Sequence, residues 1–166
     1  MKLLFSILFL LITSVFAFGQ TSNGIDLDVN GVRWNSTYAT VTKKLGKPIR
    51  TKRSTMKAGN ECTGDAQTFR TLYYKGLEVS VIGDGRGRGM RVYQMLVRDK
   101  RWLASGIRVG TDVEGVKSQF GKPNFESTDN EGITRFLYNA TEESTEVSVD
   151  IRDGKVVRIL LAESIC

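Results

Sequence analysis

The chain of 166 residues contains no histidine. That removes the side chain whose unperturbed pKa lies nearest neutrality, and with it the commonest metal ligand. Cysteine is almost absent: Cys62 and Cys166 are the only two, too few for a four-ligand structural zinc site. A serine or cysteine nucleophile would have to borrow a lysine or carboxylate as its base. Adjacent Glu142 and Glu143 would point to opposite faces of a strand and so form no acid/base pair. Catalysis is therefore the function class with least support. The expectation is no catalytic residue, no metal and no cofactor, with an uncharacterised hydrolase as the residual alternative. Proline is as scarce as cysteine, and both prolines, Pro48 and Pro123, follow Gly-Lys. Long apolar runs are missing after the first, Leu3 to Ile12, which falls short of the roughly 20 residues a spanning helix needs.

That run follows Lys2 and precedes the small-residue pattern Ala17-Phe18-Gly19, so residues 1–19 read as a secretory signal peptide in preference to a membrane anchor. No cysteine stands after the expected cleavage before Gln20, which argues against a lipoprotein. The expected product is a soluble extracytoplasmic protein, periplasmic or secreted, with residues 20–166 as one domain. In such a compartment Cys62 and Cys166 read as one disulfide, against the rival reading of a thiol nucleophile without its usual base.

What is present is said twice. Gly31-Val32-Arg33-Trp34-Asn35-Ser36 through Leu45-Gly46-Lys47-Pro48 returns 75 residues later as Gly106-Ile107-Arg108-Val109-Gly110-Thr111 through Phe120-Gly121-Lys122-Pro123. A self-match at fixed offset points to duplication of one supersecondary unit, about 24–98 and 99–166. Each copy opens on a short helix. Thr111 with Glu114 forms a capping box, and Ser36 or Thr37 caps the first copy. Val113, Val116 and Phe120, like Tyr38, Val41 and Leu45, make one apolar stripe, closed by Gly121 or Gly46 and then by proline. Helices this short are marginal alone and need an apolar surface to lie on. Strands supply it: Leu72-Tyr73-Tyr74 with Phe136-Leu137-Tyr138, Glu78-Val79-Ser80-Val81 with the identical Glu146-Val147-Ser148-Val149, and Tyr93, Met95, Val97 with Val157, Ile159, Leu161, the inward face of a half-buried strand. The expected fold is α+β, two tandem repeats of a helix plus about three antiparallel strands sharing one sheet.

Three stretches carry a choice of readings. Asp26-x-Asp28-x-Asn30-Gly31 matches the first half of a calcium loop, but Thr37 stands where the bidentate Glu belongs, and alternation followed by an Asn-Gly turn explains every residue. Gly83-Asp84-Gly85-Arg86-Gly87-Arg88-Gly89 offers amides and arginines to an anion, or is simply a mobile hairpin tip. Residues 49–71 read as an insertion that the second copy largely lacks, crowded with Arg50, Lys52, Arg53 and Lys57. The bland reading of that stretch is a solvated loop; long loops in compact domains are also often functional.

A helix headed by Gly-Ile-x-Val-Gly and closed by Phe-Gly-Lys-Pro, followed by antiparallel strands and duplicated at about 75 residues, resembles the β-lactamase-inhibitor-protein-like fold. Copy by copy it is also similar to the BamE/SmpA-like lipoproteins of outer-membrane assembly. The resemblance implies protein binding through a sheet face and its loops. It transfers no contact residue, and the missing lipid-attachment cysteine departs from the BamE-like pattern.

Charge is divided between the halves. Residues 20–108 hold 17 Lys+Arg against 7 Asp+Glu, whereas residues 109–166 hold 6 against 11. The basic half would attract nucleic acid, a partner that export removes. An acidic protein or an anionic envelope polymer is the expected partner, with head-to-tail self-association conceivable. The expected function is an exported non-enzymatic binding module working through Arg50, Lys52, Arg53, Lys57, Arg86 and Arg88 or through a sheet face. An inhibitor of a secreted enzyme and an envelope-assembly factor are the alternatives.

Overall fold

The computed structural model describes residues 25–58, 65–139 and 145–163. The signal-peptide segment, Glu142, Glu143 and the Cys62–Cys166 pairing lie outside the described residues. No helix among the described residues is long and apolar enough to cross a membrane.

A small hairpin comes first, β1 (Asp28–Val29) against β2 (Val32–Arg33). Its turn is Asn30-Gly31, with φ of 49° and 77° at the two central residues. That double positive φ is what a two-residue hairpin with the right twist requires, and Asn-Gly supplies it at least cost. The calcium-loop residues are spent on this turn. Asp28 Oδ2 accepts the Gly31 N–H at 2.7 Å, Asn30 Oδ1 accepts the Leu103 N–H at 2.9 Å, and Asp26 faces Arg33 at 3.7 Å.

Helix α1 (Tyr38–Leu45) starts where Thr37, still extended, offers its side-chain oxygen to the Thr40 N–H, and it ends at Gly46 with φ 79°. Helix α2 (Val113–Phe120) repeats this plan down to Gly121, also at φ 79°. Its cap, however, is Asp112 and not Thr111: Asp112 accepts the Gly115 N–H at 2.8 Å. A carboxylate at that position adds formal charge at the positive end of the helix dipole. Thr111 instead accepts the Arg108 N–H at 3.2 Å, as Ser36 accepts that of Arg33 at 3.1 Å.

The remaining strands are β3 (Arg50–Met56), β4 (Gln67–Tyr74), β5 (Leu77–Asp84), β6 (Arg91–Val97), β7 (Phe125–Thr128), β8 (Thr134–Asn139), β9 (Thr145–Arg152) and β10 (Lys155–Glu163). They form one antiparallel sheet in the order β3-β4-β5-β6-β10-β9-β8-β7. Each helix is thus followed by four strands, not three. The additional strand in each half is the first, β3 or β7. Residues 50–56, expected as part of an insertion, are strand β3, paired with β4 without a break from Arg50↔Tyr73 to Met56↔Gln67.

One face of the sheet carries the core. Leu72, Val79, Val81, Met95, Val97, Val147, Val149, Ile159 and Leu161 pack beneath Val41 of α1, Val116 of α2 and Val29 and Val32 of the small hairpin. Val41 and Val116 are fully buried; Leu45 and Phe120, expected to be core too, are only partly covered. Two further inward positions fail, Tyr93 and Val157. Register shifts between Ser80 and Val81 on β5 and between Val156 and Arg158 on β10 put Val92 and Val156 inside instead. A bulge breaks the period of two, so a spacing rule carried across it selects the wrong side chain. The β6–β10 pair at the sheet centre joins the two halves, with Ile159 opposite Val97 and Leu161 opposite Met95.

Candidate functional site

Strand β3 is the terminal strand of the sheet, and six of its seven residues are exposed. Register fixes where its side chains go. Leu72, opposite Thr51, lies in the core, so Thr51, Arg53 and Thr55 stand on the helix side. Arg50, Lys52, Ser54 and Met56 stand on the other face, beside Tyr73, Thr71, Phe69 and Gln67 of β4. The Arg50 guanidinium lies 4.2 Å from the Tyr73 ring centroid, and on the opposite face Arg70 lies 5.6 Å from that of Tyr38. These stacked contacts hold the cations in place without neutralising them.

Charge pairing separates this edge from the rest of the sheet. Arg91 on β6 pairs with Glu163 at 3.0 Å, Arg152 on β9 with Glu131 at 3.7 Å, and Arg135 and Arg158 both with Asp150. Arg50 and Arg53 on β3 and Arg70 on β4 have no carboxylate within 4.0 Å among the described residues. Asp150 shows the opposite arrangement. Its nearly buried carboxylate accepts Arg135 Nε at 2.8 Å and also pairs with Arg158. The hydrogen bond from Arg135 and the Asp150 charge together raise the pKa of that guanidinium. A recess of about 380 Å³ opens beside this trio, lined also by Arg98, Asp129 and Glu131. Arg98 is held by Glu78, and the two further acids cancel what cationic field remains, so the recess is a poor anion site.

The Gly-Arg hairpin tip is not a free anion cradle. Asp84 Oδ1 accepts the N–H groups of Arg86 and Arg88 at 3.0 and 2.8 Å, and Oδ2 accepts Arg88 Nε at 3.0 Å. The amides that an external anion would take are filled from within. The Arg88 N–H, first among these donors, lowers the Asp84 pKa from the ordinary carboxylate value. Thr68 donates to the Gly85 carbonyl at 3.1 Å and ties the tip to β4.

The six expected binding residues therefore do not form one cluster. Arg50 sits at one end of β3, about 20 Å along the strand from Met56 at the other. Lys57 follows Met56, at the same end of the sheet as Arg86 and Arg88, because Gln67 pairs with both Met56 and Asp84. Arg53 is on the helix side. Sequence reading offered a sheet face without saying which one or what it carries; the register supplies both. Phe69 and Tyr93 meet edge to face there, 5.7 Å between centroids, and burial raises the Tyr93 pKa against a hydrogen bond with Ser80. Phe125, 57% exposed, lies on this face at the far edge, opposite Leu137. No described element covers this face.

No family model and no curated protein matches the chain. Two solved structures share a backbone likeness. One is a DUF4309-family protein, YjgB, from Bacillus subtilis: TM-score 0.42, 16% identity, 81% of this chain and 83% of that one. The other is an extracellular protein containing an SCP domain from Bacillus anthracis: TM-score 0.49, 9% identity, 80% of this chain and 44% of that one.

Proposed function

We propose that the protein is an exported, non-enzymatic binding module that takes an acidic protein partner on its basic first half, along β3–β4 and the adjoining tips. One observation carries this reading. Arginines elsewhere on the sheet have carboxylate partners, whereas Arg50, Arg53 and Arg70 have none among the described residues. Unneutralised cations on a projecting edge create a field that speeds encounter with an acidic partner and fades as salt rises. We further propose that the α1–β6 and α2–β10 halves are diverged copies of one unit, since α1 and α2 share caps, stops and the turn before them. The resemblance to β-lactamase-inhibitor-like and BamE-like proteins belongs with that proposal. Inhibition of a secreted enzyme is the second reading, favoured by the aromatic pair Phe69–Tyr93 on the uncovered face.

The test uses poly-glutamate as the acidic probe and the whole protein. Retention should fall steeply with salt, and replacing Arg50, Lys52, Arg53, Lys57, Arg86 and Arg88 by serine should flatten that dependence. The fold should survive, because surface changes away from packed sites shift stability by under about 0.5 kcal/mol each. Equal retention and an equal salt slope in the variant would end the basic-surface reading and return attention to the open sheet face.

A further inference from the structure

We propose that the outer edge of β3 binds an extended acidic segment of a partner protein by strand addition, an inference that rests on the acidic-partner reading above and specifies its geometry. A terminal strand leaves the backbone N–H and C=O groups of about every second residue unpaired. Proteins blunt such edges with proline, bulges, short strands or charge. Strand β7, at the opposite edge, has only four residues. Strand β3 has seven, contains no proline, and pairs with β4 without a register shift. Of these devices it retains charge alone, and charge is selective: it repels basic strands and admits acidic ones.

The register of the charges defines the ligand. Arg50 and Lys52 stand on the open face and Arg53 on the helix face. A strand added antiparallel would place successive residues opposite Arg53, Lys52, Thr51 and Arg50. Its matching pattern is acid-acid-x-acid, with a β-branched residue at x to lie beside Thr51. Directly opposed side chains approach to about 5 Å, close enough for each charge pair to add to the backbone bonds. Stacking on Tyr73 already holds Arg50 over the open face, so part of its ordering cost is met before binding.

The experiment titrates the whole protein with the capped peptide Thr-Ile-Glu-Glu-Val-Asp-Thr. Two further versions carry backbone N-methyl groups, one on each alternate set of residues. In strand addition one set faces β3 and the other faces solvent. One methylated peptide should therefore lose about tenfold or more in affinity, and the other should bind like the parent. Amides of residues 50–56 should gain hydrogen-exchange protection only with the peptides that bind. A protein with Arg50→Ser, Lys52→Ser and Arg53→Ser should lose a similar factor. Equal binding of both methylated peptides, or binding without protection at 50–56, would overturn strand addition while leaving poly-glutamate retention, and thus the broader reading, standing. No retention on poly-glutamate would remove both. Concentration-dependent self-association abolished by Glu126→Lys would make β7 of a second copy the occupant and overturn the proposal as stated.

Discussion

Tyr74 and Tyr138 stand at matching places on β4 and β8, and their hydroxyls meet different fates. Tyr74 Oη donates to the Gly46 carbonyl at 3.2 Å. Tyr138 Oη is buried with no hydrogen-bond partner among the described residues, on a side chain packed against Phe120 and Phe136. Removing one hydroxyl should therefore destabilise the protein and removing the other should not. Tyr74→Phe loses a net hydrogen bond, worth about 0.5–1.5 kcal/mol. Tyr138→Phe relieves a hydroxyl buried without compensation, a burden of about 1–3 kcal/mol in mutational data, so its effect at pH 7 should run from neutral to stabilising by about 1 kcal/mol.

The contrast widens in alkali. Burial, and secondarily the Glu126 charge, push the Tyr138 pKa up to about 12 from 10.0. A folded-state pKa raised above the unfolded one leaves stability intact below pH 10 and erodes it as pH climbs towards 12. Two pH units correspond to at most about 2.7 kcal/mol, of which roughly 2 kcal/mol would be gone by pH 11.5. Tyr138→Phe escapes this loss. Urea unfolding of wild type and variant at pH 7 and pH 11.5 measures it, the difference between the proteins cancelling every other alkaline effect. A Tyr138→Phe protein more than about 1 kcal/mol less stable at pH 7 would show that the hydroxyl has a partner. A phenol titrating near 10 would refute the claim that burial holds the proton on Tyr138.

Val41→Ala and Val116→Ala should each cost about 2 kcal/mol, two methyls at about 0.8 apiece plus a residual cavity, less the small helix-propensity gain; urea midpoints showing under about 0.5 for both would mean the helices do not lie on the core. Asp84→Asn should loosen the hairpin tip while leaving global unfolding unchanged. Because the Asp84 pKa is lowered, the Arg88 amide resonance should hold through the ordinary carboxylate range as pH falls and move only below it, and a transition inside that range would contradict the geometry. Cys62 and Cys166 should show no free thiol in denatured, unreduced protein of monomeric mass; two titratable thiols would remove the disulfide.

The helices, their stops and most of the sheet were legible because their signals are local. A cap, an apolar stripe and a Gly-Lys-Pro ending all lie within a dozen residues, and the second occurrence raised each signal above coincidence. The misses share a different cause. Thr111 and Asp112 are both good caps by chemistry, and only the backbone decides which one turns inward. Tyr93 and Val157 were placed inside because alternation was carried across bulges, which leave no fixed mark in sequence. The closed hairpin tip was hidden for a related reason: whether Asp84 or an outside anion fills the amides depends on a loop conformation set by tertiary ties such as Thr68 to Gly85.

Strand β3 was missed for the reason that makes it interesting. A strand is recognised by the face it buries, and Arg-Thr-Lys-Arg-Ser-Thr-Met buries almost nothing. It lies at the margin of the sheet with six of its seven residues exposed, so neither of its faces needs an apolar side chain and no alternation results. Backbone pairing to β4 keeps it in place, assisted by the Arg50–Tyr73 stack and the β-branched residues Thr51 and Thr55. A strand that the core does not need is free to vary in composition. In β3, Arg50, Lys52 and Arg53 occupy three of four successive positions without an acid among the described residues to offset them. Strand β7 shows what the core alone demands at an edge, four residues and no cationic run. On the strand-addition proposal, the extra length and charge of β3 would serve the acidic segment that pairs with it.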